Sequence, residues 1–255
     1  MGRSGPNPTS CVIIIGNEIL SGRTKDVNLS HLGVELNESG ITLSEARIVP
    51  DVPDAIISAV NECRAKFDYV FTTGGIGPTH DDITSECIAH AFGVDYELND
   101  EAYEILKAHY KPGELNDARM RMARMPAGAE LIENPISKAP GYCVGNVYVM
   151  AGVPMIMRSM FDSIRHQLSG GSPVLSRTVG GTIGEGKLAS ELAKVQKRYS
   201  DIDIGSYPFF RGGTYGTSIV LRSRNEGKLE AATDEVSRLI SSFGVDPYLG
   251  ESKTS

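Results

Sequence analysis

Along the first ninety residues, short apolar runs alternate with stretches in which apolar residues recur every three or four positions. Cys11–Ile15 is an unbroken apolar run closed by Gly16. A run this short and this uniform predicts a strand buried on both faces. Asp26–Asn37 carries Val27, Leu29, Leu32, Val34 and Leu36, which predicts a helix closed near Gly40. Ile41–Val49 predicts a second strand. Pro53 opens a helix in which Ile56, Ile57, Val60 and Cys63 recur at helical spacing as far as Lys66. Tyr69–Thr72 is a third strand, broken at Gly74-Gly75. A helix carrying Ile83, Cys87, Ile88, Ala91 and Phe92 follows. Strands alternating with helices in this way predict an α/β fold, with a parallel sheet covered by helices on both faces. Such sheets bind ligands beyond the carboxyl ends of their strands. The loops of interest are therefore 16–25, 50–53 and 74–84.

The pattern is helical from Asn99 to Arg124, but Pro112 cannot sit in a helix interior, so two short helices are expected. The second holds Arg119, Arg121, Arg124, Met120, Met122 and Met125, read as methionines in a core and arginines in solvent. Asn134–Gly141 reads as a loop, Val147–Met150 as a strand, and Pro154 opens a helix with Met157, Met160, Phe161 and Ile164. Ser169-Gly170-Gly171-Ser172-Pro173 is the clearest boundary in the chain. Beyond it the order is strand (174–179), helix (186–198), strand (202–208), strand (215–222), helix (227–243). That predicts a small β-α-β-β-α lobe over 173–245 behind a domain over 11–169. Arg211-Gly212-Gly213-Thr214 reads as its hairpin connection. Residues 1–10 and 246–255 are expected to be flexible.

Charge and composition narrow the function classes. Across 255 residues the formal net charge is −7, so the basic footprint of a nucleic-acid binder is missing. Hydrophobic residues at 40% and charged residues at 22% fit an ordinary globular chain. No apolar run reaches the roughly 20 residues that span a bilayer. No apolar segment marks export, so a cytoplasmic protein without membrane or nucleic-acid partners is expected. Cys11, Cys63, Cys87 and Cys143 form no CxxC pair and read as reduced, buried thiols.

The chemistry concentrates in Thr73-Gly74-Gly75-Ile76-Gly77-Pro78-Thr79-His80-Asp81-Asp82-Ile83-Thr84, between a strand and a helix. Three glycines in four positions allow positive φ and close approach of backbone to a ligand. Amides of such a turn make an anion cradle. The spacing is neither GxGxxG nor a P-loop. Asp81 and Asp82 admit two readings. Thr79-x-x-Asp82 resembles a capping box, and carboxylates suit a first helical turn. Equally, they could hold a divalent cation against a pyrophosphate, orient a water, or accept a ring N–H. His80 is a candidate phosphate contact.

Gly16-Asn17-Glu18-Ile19-Leu20-Ser21-Gly22, Pro50-Asp51 and the Gly74–Thr84 string together resemble the molybdopterin-binding (MoaB/Mog-like) domain. They are most similar to the N-terminal domain of the competence/damage-inducible protein A (CinA) family, also found fused to eukaryotic FAD synthase. Asn134-Pro135, Gly141 and Ala151-Gly152-Val153-Pro154 fit the same branch. The resemblance implies a three-layer α/β/α domain with a mostly parallel sheet. It implies a pterin or nucleotide ligand held by Asn17, Glu18, Gly74, Gly75, Ile76, Gly77, Pro78, Thr79, His80, Asp81 and Thr84. Asp82 and Asp51 match functional aspartates of Mog-like proteins and are the expected catalytic pair. Glu18 matches a family acidic position, and Asp82 with Glu18 would hold a divalent ion such as Mg2+. In CinA-like relatives the domain is linked to a metal-dependent pyrophosphatase acting on ADP-ribose or FAD, and relatives form dimers or trimers, so hydrolysis of that kind is a candidate activity and a homo-oligomer is expected. Ala151 stands where many relatives have Pro, and Met155-Ile156 offer no carboxylate where they have one. That departure leaves a binding-only protein, or an oligomeric scaffold with a vestigial pocket, as the alternatives. No CinA-type deamidase or FAD-synthase domain is expected to follow.

Overall fold

The computed structural model describes residues 6–211 and 213–250. They divide into two compact units, with the boundary in the chain between Ser172 and Pro173.

The first unit runs β1 (Thr9–Ile15), α1 (Asn17–Leu20), α2 (Asn28–Glu38), β2 (Thr42–Val49), α3 (Pro53–Lys66), β3 (Tyr69–Thr73), α4 (Thr84–Phe92) and β4 (Tyr96–Leu98). It continues with α5 (Asp100–His109), α6 (Asp117–Met120), β5 (Arg124–Pro126), β6 (Glu130–Ile132), β7 (Gly141–Val144), β8 (Val147–Met150) and α7 (Pro154–Ile164). Its main sheet has the order β2-β1-β3-β8-β7-β6. The first four of these strands are parallel, and β7 and β6 pair antiparallel. This is the mostly parallel sheet that the alternation predicts.

The two-sided burial of β1 explains its unbroken apolar run. Cys11, Ile13 and Ile15 point into a core with α3 and α4, whereas Val12 and Ile14 point into a second core with α2 and α7. Successive strand side chains alternate between faces, so one strand needs apolar residues at every position to feed two layers. Helix starts follow local chemistry. Asp26 accepts from the Leu29 N–H ahead of α2, and the Asn99 side chain accepts from the Ala102 N–H to cap α5. The expected second helix after Pro112 is only one turn, α6. Asn116 caps it, and a 3-10 turn and β5 follow.

The second unit runs β9 (Leu175–Gly181), α8 (Glu185–Arg198), β10 (Asp203–Arg211), β11 (Thr214–Ser223), α9 (Glu226–Ser242) and β12 (Tyr248–Leu249). Its sheet, β10-β11-β9-β12, is antiparallel throughout. Val179, Ile219 and Leu221 pack with Leu188, Val195, Leu229, Val236 and Ile240 from the two helices into a core of its own. Of the expected hairpin connection, Gly212 lies outside the described residues, and Gly213 takes φ 80°.

Inside the ends expected to be flexible, Thr9 and Ser10 open β1, the Asn7 side chain donates to the Ser172 carbonyl, and Tyr248–Leu249 pair with β9. Residues 1–5 and 251–255 lie outside the described residues. Among the cysteines, Cys11, Cys63 and Cys87 are buried, but Cys143 is only half-buried. Among the described residues, no helix is long and apolar enough to cross a membrane.

Candidate functional site

Parallel strands deliver their carboxyl ends to one edge. There the turns after β1, β2, β3 and β8 surround a cavity of about 520 Å³, within the size range of ordinary ligand pockets.

The turn after β3 can be built only from glycine at its first two positions. Gly74 has φ 104°, and a Cβ there would lie 2.2 Å from the Ile15 carbonyl oxygen. Gly75 has φ 69°, and its Cβ would lie 2.1 Å from Thr84 Oγ1. Buried Thr84 in turn ties the turn to α4: its hydroxyl donates to the Gly74 carbonyl at 3.0 Å and its N–H to the Gly75 carbonyl at 3.0 Å. The Gly74 N–H is spent on the Met150 carbonyl. By contrast, no described residue accepts from the N–H groups of Gly75, Ile76 or Gly77, and all three residues line the cavity. Unpaired amides lining a concavity are groups that bind anions.

Four carboxylates share this cavity: Glu18, Asp51, Asp81 and Asp82. Three of them reach it by different local devices. Asp51 Oδ2 accepts from the Asn17 N–H at 2.8 Å, which fixes the start of α1. Glu18 folds back over Gly16, whose Cβ, if it had one, would lie 2.5 Å from Glu18 Oε2. Asp82 Oδ2 accepts from the Thr79 N–H at 2.8 Å and from its hydroxyl at 2.6 Å. This is half of a capping box, made in the turn before α4 rather than in the helix, where Ile83 is the N-cap. Asp51 Oδ1, Asp82 Oδ1 and both Glu18 oxygens accept no bond from a described residue. No Lys, Arg or His side chain of the described residues lines the cavity.

Of the residues expected at a ligand, Glu18, Asp51, Gly74, Gly75, Ile76, Gly77, Pro78, Asp81 and Asp82 line the cavity. Asn17, Thr79, His80 and Thr84 lie outside its wall. The first two hold carboxylates in place, and Thr84 holds the turn. The His80 side chain is 96% exposed, 3.9 Å from Asp81.

Sequence reasoning missed the apolar half of the wall: Ile15, Met122, Val153, Ile156 and Met160. The sequence pattern reads Met122 as core. Ile156 and Met160 sit one helical turn apart on α7, and only the position of α7 beside the Gly-rich turn shows that this face meets a cavity. Asn28, 3% exposed, donates to the Gly152 carbonyl at 2.8 Å. This seats Gly152 where a Cβ would come within 3.2 Å of the Gly74 Cα. Asn134 organises the opposite loop, accepting from the N–H groups of Ile136 and Ser137 and donating to the Ala139 carbonyl.

Residues 11–170 match the family described as "Probable molybdopterin binding domain". Residues 173–248 match the family described as "FAD synthase, middle domain". A protein of Caldivirga maquilingensis is 40% identical over 62% of this chain and 63% of its own length. A CinA-like protein of Citrifermentans bemidjiense is 41% identical over 59% of this chain and 38% of its own. The chain thus spans less than two thirds of both relatives. Among solved structures, the CinA protein of Thermoplasma acidophilum superposes with a TM-score of 0.60 at 33% identity, covering 64% of this chain and 99% of that one.

Proposed function

This chain belongs to the molybdopterin-binding domain family, on the side of its CinA-like members, and from that premise we propose that it binds a pterin or nucleotide through a phosphate group. The observation that carries the reading is the coexistence, in one cavity, of three unspent amides at Gly75–Gly77 and four carboxylates without a cationic side chain. The amides recognise an anion. The carboxylates would repel it unless a cation stands between. The apolar wall of Ile15, Met122, Ile156 and Met160 suits a flat heterocycle.

The donor set fits a hard divalent cation of the Mg2+ class, since the atoms that Glu18 and Asp82 offer are carboxylate oxygens. Asp82 and Glu18 would hold it, with Asp51 lining the same cavity. No three acidic groups here lie close enough to chelate a cation alone, because the one such cluster among the described residues is elsewhere. Ligand phosphate oxygens would complete the set, as is usual for Mg2+. A bound cation supplies charge neutralisation at a pyrophosphate and a lowered pKa for a water.

The finer reading is hydrolysis of a dinucleotide pyrophosphate such as ADP-ribose or FAD. In it, Asp51 Oδ1 accepts the proton of the attacking water. Thr79, by holding Asp82 Oδ2, turns Oδ1 of that residue toward the ligand. Gly75–Gly77 amides hold the phosphate whose charge grows. A second reading, binding without turnover, is favoured by one feature: Met155 and Ile156 place no carboxylate on the first turn of α7, and Met155 is 63% exposed.

Calorimetric titration with molybdopterin, ADP-ribose and FAD, with and without Mg2+, tests the reading. Binding that strengthens with the cation and is lost in Asp82→Ala supports it. Folded protein that binds none of the three rejects it. Binding without product release selects the second reading.

A further inference from the structure

At the opposite end of β1 from the ligand cavity, two thiols and a carboxylate converge. Cys11 Sγ lies 3.2 Å from Cys63 Sγ, both residues being wholly buried. Glu45 on β2 completes a group whose ligating atoms all lie within 4.8 Å of one another. It is the only such group among the described residues.

A backbone irregularity assembles it. The β1–β2 register shifts between Ser10 and Cys11, so Ser10 pairs with Leu43 but Cys11 pairs with Glu45, leaving Ser44 as the extra residue. A bulge of this kind exchanges the faces of the strand that carries it. Leu43 accordingly packs into the α2 side of the sheet and Val49 into the α3 side. Without the extra residue, the side chain level with Cys11 would be Ser44. With it, a carboxylate lies beside the thiol on the α3 face, where Cys63 also points.

We propose that Cys11, Cys63 and Glu45 form a binding site for a thiophilic divalent cation of the Zn2+ class, separate from the ligand cavity. The donor set is the first reason. Thiolates paired with a hard oxygen suit Zn2+ and Cd2+ and disfavour Mg2+ or Ca2+. Spacing is the second. At Zn–S of about 2.3 Å, two thiolates of a tetrahedral site stand about 3.8 Å apart, so the present pair has to open by only about half an ångström. Charge is the third. Binding releases one proton from each thiol, leaving two thiolates and a carboxylate around a doubly charged cation. The residual negative charge meets Arg47, whose Nε lies 2.7 Å from Glu45 Oε1, and Lys66, 2.7 Å from Glu45 Oε2. Lys66 is 62% exposed, whereas Arg47 and Glu45 are 26% and 27% exposed. An exposed ion pair contributes little, so displacing Lys66 is the low-cost way in for a cation. Glu45 would coordinate through its remaining lone pairs, with a water in the fourth position.

The experiment is a Cd2+ titration of the full, reduced chain, reading the ultraviolet thiolate-to-cadmium charge-transfer band. One equivalent is expected for the wild type. The band is lost in Cys11→Ser and Cys63→Ser, retained in Cys87→Ser, whose thiol stands outside the group, and weakened in Glu45→Gln. A Zn2+-induced rise in Tm, absent in Cys63→Ser, is the matching readout. Because a serine in the core can destabilise, far-ultraviolet circular dichroism must show each variant folded. Cys63→Ala is the second variant if Cys63→Ser is not. A wild type without the band, or a band that survives in a folded Cys63 variant, overturns the proposal. So does peroxide oxidation of the pair to a disulfide, at a loss of two hydrogens in mass, in a protein that takes up no Cd2+. Ligand titration of the first-unit cavity is expected to be unaffected by these variants, so the two proposals fail separately.

Discussion

One hydroxyl, that of Thr84, holds the conformation of the Gly-rich turn. It is buried, it donates to the Gly74 carbonyl, and it occupies the space that a side chain at Gly75 would need. Thr84→Val keeps the shape and removes the donor, leaving a buried carbonyl unpaired. The expected cost is about 1–3 kcal/mol in urea unfolding, with weaker ligand binding by calorimetry. Thr84→Ser is expected to restore binding. A valine variant of unchanged affinity would show that the turn is held by something else. Residue identity alone made Gly74, Gly75 and Asp82 legible as a candidate site, because a turn with positive φ needs glycine and a carboxylate follows it directly. It could not separate the residues that face the cavity from those that hold them there. Thr79 and His80 are adjacent in sequence, yet one grips Asp82 and the other points into solvent. The exposure of a side chain next to a turn is set by the path of the backbone, not by its type.

Elements with a full turn or several strand positions of consistent pattern were readable. α3 runs from Pro53 to Lys66 as Pro at the first helical position and the spacing of Ile56, Val60 and Cys63 require. The short antiparallel strands were not. β6 and β7 have three and four residues, and the partner of Glu130 is Cys143, thirteen positions away across a loop. Alternation over so few residues carries no period, and only the sheet shows that they pair. β12 is two residues whose ladder with Val179 and Gly180 is likewise invisible locally. Helix starts carry the opposite lesson, since one cap is a local and testable device. The Asn225 side chain accepts from the Lys228 N–H at 3.0 Å at the head of the 17-residue α9. Asn225→Ala is expected to cost about 1 kcal/mol, seen as a lower urea midpoint, with ligand affinity unchanged because the cavity lies in the first unit. An unaltered midpoint would mean that packing of Leu229, Val236 and Ile240 alone sets the start of this helix.

At the scale of the whole molecule, the two units have separate cores but share an electrostatic habit. In the first unit, the Thr9 N–H and then its hydroxyl hold the Asp68 carboxyl below the ordinary carboxylate range. In the second, Lys228 does the same for Asp201 at 2.6 Å, and Arg198, then Tyr199, for Glu235. All three groups have a folded pKa below the unfolded one. Each therefore contributes stability that is complete above the unfolded carboxylate pKa and is lost as pH falls through the folded value. The contributions have one sign in both units, so both are expected to lose stability on the acid side of the carboxylate range and to hold it from there to neutral pH. Each pair is near the surface, so single contributions are small and screened by salt. Only their common sign makes the acid limb visible. Urea midpoints measured against pH check this. Lys228→Met and Arg198→Met together are expected to make the acid limb of the second unit shallower while leaving the neutral plateau lower and flat. An acid limb of unchanged slope in that double variant would assign the loss to other groups. A limb insensitive to added salt would exclude surface charge as its source.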